Sequence, residues 1–264
     1  MDFLPPNGAL HGIALDKLLG WNLVLVFWLF VAAHILIVAA FLFRRAREKK
    51  IVIPTEAEEP AFRRPPLKPL LVAEFLTLLA LMALYLAMDI TGHKLWAASR
   101  EQAATCGRAL QVEVTGVQFQ WYFRYPGLDG VYGVTKPALV SAPTGNPLGL
   151  DRADPRAADD IVSSILVLPA GQPVDITLRS QDVIHGFFVP GMRLKQDAIP
   201  GMAGMLRFTP ATAGNYDILC SQVCGLGHWR MQARLRVVTP AQFDTWLAAR
   251  EKAALGASAA RGGQ

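Results

Sequence analysis

The chain has 264 residues, of which 52% are hydrophobic and 18% charged, with 3 cysteines and a formal net charge of +5. This excludes a disordered chain, is too apolar for a purely soluble one, and leaves room for a membrane anchor plus one globular domain but not for a large transporter bundle. The charge is divided, with 8 basic and 4 acidic residues in Arg44–Lys68 and 17 basic and 13 acidic after Ile90; no basic stripe interleaved with aromatics occurs, so a nucleic-acid partner is set aside.

Trp21–Phe43 is a run of 23 residues whose only polar members are Asn22 and His34. At ~1.5 Å per residue it is long enough to cross the ~30 Å hydrocarbon core, and a helix is expected over 21–43. Leu70–Met88 is a second such run, broken only by Glu74 and Thr77, with Asp89 and Gly92 beyond it, and a second spanning helix is expected over 70–90. The connecting segment 44–69 holds 8 basic residues against a single lysine in Met1–Gly20, so the positive-inside rule places a basic loop in the cytoplasm, and the N-terminal segment 1–20 and the C-terminus outside. The first apolar run starts 20 residues in, without a basic leader, and is too long for a signal-peptide core. Ionisable groups inside a span are expensive and often functional. For His34 the plainer reading is a hydrogen bond to a neighbouring helix, while Glu74 lies where it could either snorkel toward Lys68 or serve a proton path; Glu58 and Glu59 in the loop are candidates for such a path by position alone.

After Thr91 the apolar runs give way to short alternating segments punctuated by Gly and Pro, the pattern of an all-β sandwich or barrel. Strands are expected at Leu110–Tyr125, Ile161–Leu168, Val174–Arg179, His185–Val189, Met205–Thr209, Asn215–Leu219 and Gln232–Val238. Pro126–Asp160 lacks sustained periodicity and reads as a surface insertion in an exported domain spanning 91–239. Its Asp151, Asp154, Asp159 and Asp160 lack EF-hand spacing and read as a solvated charged loop. Thr239-Pro240-Ala241-Gln242 offers an N-cap, a proline at the first helical position and a capping-box glutamine, so a helix opens the closing segment 240–264, with a frayed tail over Ala257–Gln264. Cys106 has no partner pattern and reads as a buried free thiol.

Within the 12 residues Cys220-Ser221-Gln222-Val223-Cys224-Gly225-Leu226-Gly227-His228-Trp229-Arg230-Met231 the chain offers two thiols, an imidazole and a thioether. Soft sulfur with imidazole is a copper ligand set. A single-copper loop needs one cysteine; the three-residue spacer here lets two thiolates enter one pocket and bridge two metals. Asp182-Val183-Ile184-His185 offers a second imidazole at a strand start. A plain disulfide leaves His228 and Met231 at ligand spacing by coincidence, a Cys2His2 zinc site has no use for the methionine, and haem c is excluded because no Cys-x-x-Cys-His occurs.

Asp182–Pro190, Lys195-Gln196-Asp197-Ala198-Ile199-Pro200-Gly201 and Cys220–Met231 resemble subunit II of the haem-copper cytochrome c oxidases, as do the two-span anchor, the exported β domain and the order of the motifs. The resemblance implies a two-helix transmembrane hairpin plus an all-β cupredoxin-like barrel in the bacterial cytoplasmic membrane, with the metal domain and both termini on the periplasmic side. It also implies a dinuclear copper A centre: Cys220 and Cys224 bridge both coppers, His185 and Met231 complete one ion, and His228 with the backbone carbonyl of Gln222 completes the other. The function implied is electron transfer from a cytochrome c, soluble or tethered, to haem in subunit I, where oxygen is reduced; oxidase subunit I, the other oxidase subunits and membrane lipid are the implied partners. A membrane-tethered copper carrier is the alternative, and would need an exposed, labile single-copper site. Three departures from the family pattern stand out, one of them the Pro126–Asp160 insertion. Glutamate is usual at the position of Gln222, where it supports a magnesium or manganese site shared with subunit I, and a neutral amide is a poorer ligand for that hard cation. Phe119, within Gly116-Val117-Gln118-Phe119-Gln120-Trp121-Tyr122-Phe123-Arg124-Tyr125, stands where the electron-entry tryptophan is usual, which leaves Phe119, Trp121 and Trp229 as entry candidates.

Overall fold

The computed structural model describes residues 4–48, 67–105 and 109–262. Cys106, Glu58, Glu59 and most of the basic loop lie outside the described residues. Two compact units result: residues 16–97 hold most of the two long helices, and the N-terminal residues through Leu15 join Ala98 onward in the other.

The helices are α1 (Gly12–Glu48) and α2 (Leu67–Thr105). Their stretches Gly12–Arg45 and Glu74–Leu95 are long and apolar enough to cross a membrane, with none of either apolar window buried; side chains such as Phe30, Ile37, Leu78 and Met82 point outward, an apolar surface that water would not tolerate. Both helices outrun the apolar segments. α2 continues through Gly92 because Lys94–Thr105 is rich in strong helix formers and has no proline, and the Thr91 hydroxyl donates back to the Ala87 carbonyl at 2.7 Å. The His34 Nδ1 donates to the Phe30 carbonyl of its own helix at 2.8 Å, so this imidazole is satisfied locally rather than by a neighbour.

The β domain has ten strands: β1 (Leu110–Val117), β2 (Gln120–Tyr125), β3 (Ile161–Ser163), β4 (Ile165–Pro169), β5 (Val174–Ser180), β6 (His185–Val189), β7 (Leu194–Ala198), β8 (Gly204–Phe208), β9 (Gly214–Cys220) and β10 (Gln232–Val238). They form two five-stranded sheets, β3-β2-β1-β5-β8 and β4-β10-β9-β6-β7, which share a core of Val112, Val114, Trp121, Phe123, Leu166, Leu168, Ile176, Leu178, Phe187, Ile218 and Leu235. The expected strand Leu110–Tyr125 is a hairpin, turning at Gln118-Phe119 so that Val117 faces Gln120 across the ladder. Ile161–Leu168 is likewise two strands: β3 pairs with β2 and β4 with β10, in different sheets, and the change occurs at Ser164. β7 went unpredicted because Lys195-Gln196-Asp197 breaks the apolar alternation; it is an edge strand held by β6, where a polar face is tolerated.

Thr239 and Gln242 close a reciprocal capping box, with the Gln242 amide nitrogen 3.4 Å from Thr239 Oγ1 and the Thr239 nitrogen 3.1 Å from Gln242 Oε1. The helix they start, α3 (Pro240–Gly262), runs into the segment expected to be a frayed tail, since Ala-rich sequence propagates a helix once it is nucleated. At its start Phe243 and Trp246 pack on the core, Trp246 edge-on to Tyr125 at 5.2 Å.

The N-terminal residues are stitched to the same domain. Gly8 donates to the Gly191 carbonyl at 2.7 Å and accepts from Ala211 at 2.7 Å, Ala9 bridges Pro210, and Arg193 Nη2 donates to the Pro5 carbonyl at 2.8 Å.

The 126–160 insertion is anchored from within. Arg124, 2% exposed, donates to Asp160 Oδ2 at 2.5 Å and to the Gly133 carbonyl at 2.5 Å, and its guanidinium lies 5.0 Å from the Tyr132 ring centre. Glu113 faces Arg124 at 3.5 Å on one side and Arg179 at 2.7 Å on the other. Asp159 accepts from the backbone nitrogens of Leu128 and Asp129. The reading of a solvated charged loop therefore fits the exposed cations Lys136 and Arg156 but not the acids: the Asp151 and Asp154 side chains they pair with are 16% and 11% exposed, and Asp159 and Asp160 are buried. Asp160→Ala should lower the unfolding free energy of the domain by about 3–5 kcal/mol, because it leaves the buried Arg124 charge without its main partner. Denaturant titration measures this, and a loss under ~1 kcal/mol would contradict the anchoring role.

Candidate metal centre

β9 ends at Cys220 and β10 begins at Gln232, so the ligand-rich segment is the loop of a β-hairpin. The Cys220 amide donates to the Met231 carbonyl at 3.2 Å, closing its base. At its far side the amides of His228 and Met231 donate to the carbonyls of Gly225 and His228 at 3.1 Å each, a tight curl that turns Cys224 and Met231 inward to 5% and 1% exposure. β6 pairs with β9 so that Phe187 lies opposite Cys220, which brings His185, two residues earlier and fully buried, to the same end of the sheet.

The donor atoms converge. Cys224 Sγ lies 3.8 Å from Cys220 Sγ, 3.7 Å from Met231 Sδ and 3.8 Å from His228 Nδ1. Cys220 Sγ is 3.1 Å from the Gln222 carbonyl oxygen, and one donor atom from each of His185, Cys220 and Cys224 lies within 4.8 Å of the others. Both cysteines are free thiols. All six residues expected as metal ligands, His185, Cys220, Gln222, Cys224, His228 and Met231, thus stand at one place, with Gln222 contributing its backbone while the residue itself is exposed.

The chemistry of the group fits a metal. His185 Nε2 donates to Asp182 Oδ1 at 2.7 Å, whereas Nδ1 is buried with no hydrogen-bond partner. An orphaned buried nitrogen costs about 1–3 kcal/mol, which a bound ion would offset. Burial, reinforced by the neighbouring Cys220 thiol, pushes the Cys224 thiol up to about 11. Burial also acts to raise the Asp182 carboxyl, but the Gln118 amide, His185 and the Val183 amide together hold it below the usual range.

Around the donors, Trp121 is fully buried, edge-on to His185 at 5.8 Å and to Phe187 at 5.5 Å. It walls the site from inside and presents nothing at the surface. A side chain at Gly116 would sit 2.8 Å from the His185 ring, and one at Gly227 2.4 Å from the Phe119 ring, so both positions need glycine for close approach. Phe119 is half-buried beneath the loop, with the Arg230 guanidinium 5.9 Å from its ring centre. Val223, Leu226 and Trp229 point away from the donors and are 80%, 99% and 77% exposed. Sequence reading missed Asp182 and Gln118; the only signal was an acid three residues before a candidate ligand.

Because the Cys224 thiol keeps its proton across the neutral range, an ion must displace that proton to bind. Affinity for a thiolate-binding metal ion should therefore rise about tenfold per unit of pH from this thiol alone, up to its pKa near 11. Competition titration with a chelator at several pH values measures the slope, and a pH-independent affinity would contradict it.

Comparison with known proteins bears on this geometry. The family described as cytochrome c oxidase subunit II, periplasmic domain, matches residues 110–238. The chain is 42% identical over 141 residues to an alternative cytochrome c oxidase subunit 2 of Bradyrhizobium diazoefficiens, covering 53% of this chain and 50% of that one. It is 34% identical over 140 residues to a cytochrome c oxidase subunit 2 of Synechocystis, covering 53% and 33%. It therefore spans half or less of the length of these relatives. Among solved structures, the periplasmic domain of subunit II of the cytochrome oxidase of Bradyrhizobium japonicum aligns with 56% of this chain and 98% of its own, at 26% identity and a TM-score of 0.41. Residues 110–238, a cupredoxin-like domain of two five-stranded sheets, therefore match the periplasmic domain of cytochrome c oxidase subunit II.

Proposed function

We propose that the domain holds a dinuclear copper A centre and acts as the electron-transfer subunit of a respiratory cytochrome c oxidase, accepting electrons from a cytochrome c-type donor and passing them to haem in subunit I. The observation that carries this reading is the pair of free thiols 3.8 Å apart, flanked by the Met231 thioether and His228 Nδ1, with a nitrogen of the buried His185 within 4.8 Å of both sulfurs. Cys220, Cys224, His185, His228, Met231 and the Gln222 carbonyl would together hold the two ions. Bound copper supplies one-electron redox chemistry. The chain's own residues supply a fixed cage: two thiolates that offset the metal charge, and a rigid sheet end that limits rearrangement between oxidation states. A labile copper carrier needs exposed ligands, and the burial of His185, Cys224 and Met231 opposes it.

The proposed setting is a bacterial cytoplasmic membrane crossed twice, with both termini and the β domain on the periplasmic side. The docking of the residues around Gly8 and Ala9 on the β domain supports it, since the segments before α1 and after α2 must then share one side. The proposed donor docks on the apron of Val223, Leu226 and Trp229 directly over the cage, where exposed apolar side chains can bury against a partner. Trp229 is the entry residue this geometry favours over the buried Trp121 and the covered Phe119.

Two outcomes follow. The purified chain should hold two coppers with one delocalised unpaired electron when oxidised, and Cys220→Ser should abolish that signal; a single copper with a localised-spin spectrum would overturn the reading. Trp229→Ala should slow stopped-flow reduction by the donor about tenfold, as expected for an interface anchor, while the wild-type rate changes little as the screening length falls from ~30 Å at 0.01 M to ~8 Å at 0.15 M salt. A steep salt dependence with an unaffected Trp229→Ala variant would show that charge steering guides docking instead.

A further inference from the structure

The β1–β2 turn reaches the metal loop from the opposite sheet, and one residue there touches both halves of the ligand set. The Gln118 amide nitrogen of the backbone donates to Asp182 Oδ2 at 2.7 Å, and its side-chain Nε2 donates to the Cys224 carbonyl at 2.5 Å. A carbonyl can only accept, so the side-chain amide must present its nitrogen there. Asp182 in turn has its second oxygen on His185 Nε2 at 2.7 Å and on the Val183 amide at 2.7 Å. A continuous chain of hydrogen bonds therefore runs from the Cys224 backbone through Gln118 and Asp182 to the His185 ring. It joins two segments, Asp182–His185 and Cys220–Met231, that lie far apart in sequence and face each other only at this end of the domain. Phe119 completes the contact by filling the space under Gly225 and Gly227.

We propose that Gln118 and Asp182 are positioning residues of the metal centre, fixing the distance and orientation of His185 relative to the Cys224 arm of the loop. This rests on the copper reading above. Asp182 accepts from Nε2–H and so fixes the orientation of the imidazole, leaving the buried, unpartnered Nδ1 as the nitrogen that can donate to an ion; its carboxylate makes that nitrogen a stronger donor, which favours the oxidised state. Gln118 keeps the loop from drifting off the ring, because the Cys224 carbonyl has a fixed donor on the facing turn. Both residues act through ligands and neither coordinates an ion.

The test uses the full chain in detergent, loaded with copper, with Asp182→Asn, Asp182→Ala and Gln118→Leu compared with wild type for copper per chain, affinity, electron-paramagnetic-resonance spectrum and reduction potential. Asp182→Asn is nearly isosteric and keeps an oxygen acceptor for the His185 Nε2–H but removes the charge, so it should retain two coppers while its equilibrium shifts toward the reduced form about tenfold. Asp182→Ala and Gln118→Leu should lose about 10–100-fold in copper affinity and alter the hyperfine pattern, Asp182→Ala most at the histidine nitrogen. A wild-type chain without paired copper overturns the copper reading and this proposal with it. Paired copper in wild type, with potential, spectrum and affinity unmoved in Asp182→Asn and Gln118→Leu, overturns the positioning role alone.

Discussion

Cys224 Sγ has to remain within about 3.8 Å of donors that arrive on different parts of the chain: the end of β9, the curl of the following loop and the start of β10. Left to itself a loop of that length would relieve the crowding of two thiols, a thioether and an imidazole by opening toward water. It does not open because its base is closed by the Cys220–Met231 backbone hydrogen bond and its underside rests on the Phe119 ring. The two glycines of the loop follow from that second contact, since a Cβ at Gly227 would overlap the ring. The loop is thus held at its base and from beneath, and the hydrogen bonds of Gln118 and Asp182 add a third restraint from the opposite sheet.

The metal loop was legible because coordination chemistry constrains residue type and spacing together, and Cys-x3-Cys-x3-His-x2-Met has few other uses. His185 could be offered only as the second imidazole such a site needs, as nothing local to Asp182–His185 says which strand it will meet. The fold was legible where one face is buried and the other wet, as in Val174–Arg179. It was not legible at Gln118-Phe119 or Ser164, where an apolar run continues through a reversal or a change of sheet and periodicity carries no mark of the turn. Asp159 and Asp160 were misjudged for a related reason: their burial is decided by partners thirty or more residues earlier, the Leu128 and Asp129 amides for Asp159 and Arg124 for Asp160, which composition cannot link to them. Trp121 illustrates the same limit, because an aromatic two residues from Phe119 on an alternating strand should share its face, and the turn between Phe119 and β2 breaks that alternation.

The electrostatics of the domain separate structure from docking. Several of its buried charges are paired internally, Arg124 with Asp160 and Glu113, and Asp175 with Arg207, and so contribute little field outside. Over the cage the surface is apolar, with Val223, Leu226 and Trp229 outward. A partner meeting that apron gains from burying apolar area, a short-range force that acts only after contact, whereas Asp182, the acid nearest the ligands, is already committed to His185 and Gln118.

That commitment also explains how a cluster of candidate metal ligands can be held at a hairpin tip without distorting the sheets behind it. The ligand loop and the β1–β2 turn are both strand connections, the least constrained parts of a β domain, and each alone would move. Placed against each other they share hydrogen bonds and an aromatic ring, so that displacing one requires breaking the other's contacts as well. Rigidity at the donor atoms is then a property of the pair of turns, and the sheets need only bring the two turns to the same end, which the parallel pairing of β1 with β5 and the pairing of β6 with β9 accomplish.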